Sequence, residues 1–198
     1  IAAHSEAKAV IAQDDLRSSV EPVRCELPIE PRCWIHFGAP TPPDWTGYED
    51  LMAAASSTPS IVITEPQDPF ALMYTSGTTG RPKGAIRNHE GNALLALATA
   101  LEFGFSRSDT ALLVMPMCHA NSLYFGLTFM YLGATVVVDD HKSFDAQALL
   151  QTLSREHITF TSLVPTHYIM MLGLPEAVKA RYDVGAVGKL LISSAPAR

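Results

Sequence analysis

Cysteine is scarce in this 198-residue chain: Cys25, Cys33 and Cys118 are the three present. So few, so scattered, they exclude a disulfide framework or a cysteine zinc site and fit a reducing, cytoplasmic compartment. Cys118 is expected to be a small buried hydrophobe. Basic residues are in deficit, 14 Lys and Arg against 20 Asp and Glu, for a net charge of -6. That balance argues against a nucleic-acid partner, whose phosphates call for a basic face. No block of like charge marks an interaction tail. Long apolar runs are missing too. The longest, residues 123–138, is broken by Gly126 and Gly133 and is shorter than the roughly 20 residues that span a bilayer. It reads as a helix followed by a buried strand. The chain opens on Ile1 without a basic, apolar leader and closes just after the strand-like Lys189-Leu190-Leu191-Ile192. Both ends are expected to be cuts in a longer protein.

What is present is a globular composition, 47% hydrophobic and 17% charged, in a length that fits one domain. Short β-rich runs are expected at 9–12, 33–37, 71–75, 84–87, 111–115, 135–138, 159–162 and 190–192. Helical patterns are expected at 15–20, 48–54, 90–103, 121–131, 144–156 and 166–172. In the helix from Phe144, the apolar residues Phe144, Ala148, Leu149 and Leu153 form a one-sided stripe suited to packing on a sheet. Asp145 is placed in its first turn, where a negative charge suits the helix dipole. The alternation predicts an α/β fold with a mostly parallel sheet layered with helices. The proline-rich stretch 38–69 reads as a surface excursion. No internal repeat or low-complexity tract occurs.

The most informative string is Tyr74-Thr75-Ser76-Gly77-Thr78-Thr79-Gly80-Arg81-Pro82-Lys83-Gly84, which follows an apolar strand. Glycines let backbone N–H groups approach an anion closely. The hydroxyls of Thr75, Ser76, Thr78 and Thr79 can donate to phosphate oxygens, and Lys83 adds a compact positive charge. Hydrogen bonds to a charged group contribute about 1.5–3 kcal/mol each, so several together hold a triphosphate. The spacing is not that of the common nucleoside-triphosphatase loop, in which lysine directly follows glycine and precedes serine or threonine. A small P-loop kinase is thereby disfavoured.

This string resembles the signature of the adenylate-forming superfamily, the AMP-dependent synthetases and ligases that include acyl- and aryl-CoA synthetases, peptide-synthetase adenylation domains and luciferases. The resemblance implies that Thr75, Ser76, Gly77, Thr78, Thr79, Gly80 and Lys83 hold the ATP phosphates, with Thr75 near magnesium. A second string, Met115-Pro116-Met117-Cys118-His119-Ala120-Asn121-Ser122, is similar to the family's Pro-x-x-His pattern. It implies that His119 lines the acyl pocket beside the reacting carboxylate. The terminal Ser193-Ser194-Ala195-Pro196 resembles the segment whose backbone flanks the adenine, which implicates Ser194, Ala195 and Pro196. His89 is read as packing or capping. His36, His141, His157 and His167 show no metal spacing, and Asp139-Asp140 reads as a solvated turn.

The implied chain is part of a large N-terminal ATP- and acyl-binding domain without its C-terminal lid. The implied reaction joins a carboxylic acid, expected to be a fatty acid, to the α-phosphate of ATP, giving acyl-adenylate and pyrophosphate, and then passes the acyl group to coenzyme A. ATP and magnesium are the expected cofactors. The glutamate for magnesium, the aspartate for the ribose and the lid's catalytic lysine are expected outside the sequence. A fatty-acyl-AMP ligase, a peptide-synthetase adenylation domain and a non-catalytic nucleotide- or acyl-binding module are the alternatives.

Overall fold

The structure is a computed structural model that describes residues 1–75 and 82–193. It divides into two compact units, 1–88 and 89–198.

In the first unit, three short strands, β1 (Val10–Gln13), β2 (Trp34–Phe37) and β3 (Thr46–Gly47), form a parallel sheet in the order β1-β2-β3. Helices α1 (Asp14–Val20) and α2 (Tyr48–Ala54) follow β1 and β3. Ala12, Ile29, Trp34 and Trp45 make the core, and the two indoles meet edge to face at 5.7 Å. Arg24 lies against both rings, 5.5 Å from Trp34 and 5.1 Å from Trp45, a cation–π arrangement. The stretch 38–69 is therefore not wholly a surface excursion. Trp45 is buried and β3 extends the sheet, whereas residues 49–70 are exposed. The same unit carries an antiparallel hairpin, β4 (Pro69–Thr75) and β5 (Lys83–Asn88).

The second unit is a four-stranded parallel sheet, β6 (Thr110–Leu113), β7 (Thr135–Val138), β8 (Phe160–Leu163) and β9 (Lys189–Ile192), in the order β7-β6-β8-β9. Its helices are α3 (His89–Phe103), α4 (Ala120–Leu132), α5 (Ala146–Arg155), α6 (Pro165–Leu172) and α7 (Glu176–Lys179). Successive strand residues point to opposite faces, and the two cores follow that alternation. Ala111 and Phe160 join Ala100, Phe105 and Phe129 on one face. Leu112 and Leu163 join Leu149, Leu150, Leu153 and Ile158 on the other. Helices thus cover both faces, as parallel sheets require.

Three local expectations are corrected. Asp145 is the N-cap of α5, not a first-turn residue; its Oδ1 accepts the N–H groups of Gln147 at 2.8 Å and Ala148 at 3.0 Å. Those two bonds, Ala148 first, hold its carboxyl below the ordinary value. Strand β7 follows α4 as expected but is an edge strand rather than a buried one, with Val138 half exposed. Cys118 is exposed, not a buried hydrophobe, because it lies in the turn before α4 and not on a core-facing strand.

Helix α4 ends at Gly133, which adopts φ +67°. Its N–H donates to the Met130 carbonyl at 3.0 Å and that of Ala134 to Phe129 at 2.9 Å, the paired bonds of a Schellman cap.

Candidate functional site

The hairpin of the first unit brings together the two ends of the glycine- and hydroxyl-rich string. Thr75 is the last residue of β4 and Lys83 the first of β5, and they are register partners. Side chains of directly opposed residues share a face, with Cβ atoms about 4.5–5.5 Å apart. Both residues are exposed, so one hydroxyl-bearing and one cationic side chain share an exposed end of the hairpin. Gly84 beside them leaves little room for a side chain. A Cβ there would lie 3.0 Å from Leu72 Cδ1 and 3.2 Å from the Tyr74 ring. The expected phosphate-holding residues Ser76, Gly77, Thr78, Thr79 and Gly80 lie outside the described residues, as do Ser194, Ala195 and Pro196.

In the second unit, the chain passes from β6 through α4 to β7 and returns by α5 to β8, on the other side of β6. The direction of winding reverses there, and open α/β sheets bind ligands beyond the carboxyl ends of strands at such a point. His119 sits at that end of β6. It is exposed and is the N-cap residue of α4, with an extended backbone and no side-chain cap bond. Its carbonyl accepts the Leu123 N–H at 3.1 Å, and its own N–H donates to Pro116 at 2.9 Å, so the backbone is held while the ring stays clear of the helix end.

Next to it is an apolar cavity of about 360 Å³. Leu95, Thr99 and Phe103 of α3 form one wall, and Ala120, Tyr124 and Phe125 of α4 another. Phe103 and Phe125 also pack on the aromatic core, where Phe125 lies 4.8 Å from Phe160, so the walls are stiffly backed. No charged side chain lines it among the described residues. Asn121 and Ser193 complete the lining. The Asn121 Nδ2 group donates to Ser162 Oγ at 2.7 Å and to Ser193 Oγ at 3.0 Å, joining the first turn of α4 to β8 and to the residue after β9. Sequence reasoning quoted Asn121 within its motif and gave it no role. The available signal was a polar amide in the first turn of a mostly apolar helix.

Three other histidines have defined surroundings. His36 is fully buried, with Nε2 3.2 Å from Asp14 Oδ1. His167 stacks on Phe144 with centroids 3.9 Å apart; burial pushes its pKa down. His141 pairs with Asp139, and that hydrogen bond raises its pKa. The ligand atoms of Asp139, Asp140 and His141 lie within 4.8 Å of one another, so His141, which showed no metal spacing in the sequence, joins the acidic pair in space; Asp140 and His141 are exposed.

Comparison with known proteins gives the class. The profile of the AMP-binding enzyme family matches residues 1–198: the chain belongs to the AMP-binding enzyme family, the adenylate-forming superfamily. It is 36% identical over 143 residues to indoleacetate–CoA ligase of Aromatoleum aromaticum, covering 71% of this chain and 28% of that protein. It is 31% identical over 156 residues to the mitochondrial medium-chain acyl-CoA ligase ACSF2 of Danio rerio, covering 75% of this chain and 25% of that protein. The fold matches the N-terminal domain of FACL13 from Mycobacterium tuberculosis, with a TM-score of 0.78 at 25% identity, over 98% of this chain and 46% of that one. It also matches the anthranilate CoA ligase AuaEII in complex with anthranoyl-AMP, with a TM-score of 0.85 at 22% identity, over 94% of this chain and 36% of that one. The chain spans roughly a quarter to a third of the length of the curated relatives it matches. No helix among the described residues is long and apolar enough to cross a membrane.

Proposed function

We propose that this chain is the phosphate-gripping and acyl-binding part of the large N-terminal domain of an acid–thiol ligase. That ligase activates a carboxylic acid with ATP to an acyl-adenylate and then transfers the acyl group to coenzyme A. The observation that carries the reading is the Thr75–Lys83 pair, opposed in register and exposed on either side of the glycine- and hydroxyl-rich residues of the string. The chemical obstacle is that a carboxylate must approach the α-phosphate of a polyanion. Lys83 offsets that repulsion, and the loop amides and hydroxyls hold the phosphates as charge moves onto the departing pyrophosphate. Magnesium, when bound, supplies further neutralisation of the phosphate oxygens, and the exposed Thr75 hydroxyl fits the neutral oxygen ligand such an ion accepts. His119, the N-cap residue of α4 with no side-chain cap bond, lines the acyl pocket beside the acid's reacting carboxylate. The backbone of Ser194, Ala195 and Pro196 flanks the adenine. Catalysis of this kind is positioning plus electrostatics and needs no nucleophilic side chain.

The acid's tail lies in the uncharged cavity of the second unit. Its volume of about 360 Å³ falls within the range of small-molecule pockets. A second charge on the tail would be stripped of water there without a partner, at a cost of several kcal/mol. The substrate is therefore an acid with an apolar tail, fatty or aryl. The aryl reading draws on Phe103, Tyr124 and Phe125 in the lining and on the indoleacetate–CoA ligase relative.

Acid-dependent ATP–pyrophosphate exchange by the ligase that carries this chain tests the proposal, with octanoate, indole-3-acetate and malonate as probes. Exchange is expected with octanoate or indole-3-acetate and not with malonate, followed by thioester formation only when coenzyme A is added. Adenylate without a coenzyme A thioester would move the assignment to a fatty-acyl-AMP ligase or a peptide-synthetase domain. Nucleotide binding without exchange would leave a non-catalytic binding module.

A further inference from the structure

We propose that the side-chain carbonyl of Asn121 is the specificity-determining group of the apolar cavity, selecting an acid whose ring carries a neutral hydrogen-bond donor. The proposal rests on the acyl-adenylate reading and narrows it, from any apolar tail to an aryl tail with an N–H or O–H. Asn121 is half-buried and lines the cavity. Its amide offers two donor protons and one acceptor oxygen. Nδ2 donates to Ser162 Oγ at 2.7 Å and to Ser193 Oγ at 3.0 Å, which uses both protons. Among the described residues, Oδ1 accepts no hydrogen bond. Ser162 is buried in β8 and Ser193 directly follows β9, so the sheet fixes the amide before any ligand arrives. One end of the amide is committed to the protein. The other is a preset acceptor at an apolar cavity, the kind of sparse polar group that orients a ligand in such a pocket.

Desolvation turns that acceptor into a filter. An acid that fills the cavity strips water from Oδ1. A tail of carbon and hydrogen alone leaves the oxygen unpaired, whereas a tail with a donor within reach restores its hydrogen bond. A site built around such a bond rejects the analogue lacking it more strongly than a greasy wall rejects a missing methylene. The donor is neutral, because no carboxylate among the described residues lines the cavity to balance an ammonium group. It is carried on a ring, because Phe103, Tyr124 and Phe125 all contribute to the walls, and aromatic faces and edges pack well against a planar group.

The test is acid-dependent ATP–pyrophosphate exchange by the full ligase, with kcat/KM for the acid measured on two matched pairs. One pair is indole-3-acetate and 1-benzothiophene-3-acetate; the other is 4-hydroxyphenylacetate and phenylacetate. Each pair keeps the ring shape and removes the donor. The donor-bearing acid is expected to be favoured by about 5- to 100-fold in at least one pair. Asn121→Leu keeps side-chain bulk and removes the acceptor, and is expected to bring that ratio close to one. Asn121→Gln displaces the acceptor by one methylene and carries the test if the leucine variant does not fold; there too the ratio is expected to fall. Equal kcat/KM within both pairs of the wild-type protein overturns the proposal, as does a wild-type ratio retained in the folded variant. Exchange with none of the four acids and none with octanoate overturns instead the acyl-adenylate reading beneath it.

Discussion

At the scale of single residues, the chemistry readable in the sequence is the chemistry whose parts are neighbours in the chain. Thr75 and Lys83 are visible because eight positions separate them, and the hairpin then makes them register partners. Asp109 illustrates the opposite case. Its Oδ1 accepts the Thr159 hydroxyl at 2.7 Å, its Oδ2 the Ser106 N–H at 2.8 Å, and Lys189 Nζ lies 3.5 Å away. Nothing in the local string announces a residue that ties the start of β6 to β8 and β9. Burial pushes its pKa up, but the Thr159 and Ser106 hydrogen bonds and the Lys189 charge outweigh burial and hold it below 3.8. Asp109 therefore contributes stability that is present above the unfolded value and lost as pH falls through the lower folded one. Asp109→Asn is expected to lower unfolding stability at pH 7 by about 1–3 kcal/mol, measured by denaturant titration. The difference from wild type should shrink in strong acid. His167 titrates in a different window. Burial against Phe144 depresses its pKa, so the folded state favours neutral imidazole. That contribution is complete above 6.5 and declines as pH falls from 6.5 toward the folded value. Thermal melts from pH 7.5 to 5 should show this slope, and His167→Phe should flatten it; an unchanged slope would place its origin elsewhere.

At the scale of elements, periodicity and turn chemistry located most strands and helices to within a residue or two, because apolar patterns and caps are local. The two-residue strand β3 and the four-residue helix α7 are too short for a period to register. The Val136–Val138 run announced a strand but not its edge position, which is decided by which strands flank it and not by its own residues. Trp45 was hidden for a related reason: prolines around it mark irregular backbone, while its burial comes from Trp34 across the sheet. The helix stops make a direct prediction. Gly133→Ala forces a Cβ into the left-handed region and within 3.1 Å of Arg107 Nη2, and is expected to cost about 1 kcal/mol, read as a lower Tm. An unaltered Tm would show that the cap of α4 is dispensable. Asp145→Ala, which removes the acceptor for two N–H groups of α5, should lower Tm at neutral pH and converge with wild type below the carboxyl's folded pKa.

At the scale of the whole molecule, the family and the α/β architecture were legible because one string of eleven residues is distinctive and the helix–strand alternation around it is regular. The apolar cavity of the second unit was not, since its walls come from α3, α4 and the residue after β9, brought together only by folding. The chain spans roughly a quarter to a third of its curated relatives, so the isolated chain is expected to give no acid-dependent pyrophosphate exchange while a full-length ligase that carries it does. The measurement closest to the central claim is that exchange in the full ligase with Lys83→Ala. Loss of one charged hydrogen bond of about 1.5–3 kcal/mol predicts a fall of about 10- to 100-fold in kcat/KM for ATP, with the protein's Tm little changed because Lys83 is exposed. Exchange at the wild-type rate would contradict the claim that the string from Thr75 to Lys83 holds the nucleotide's phosphates.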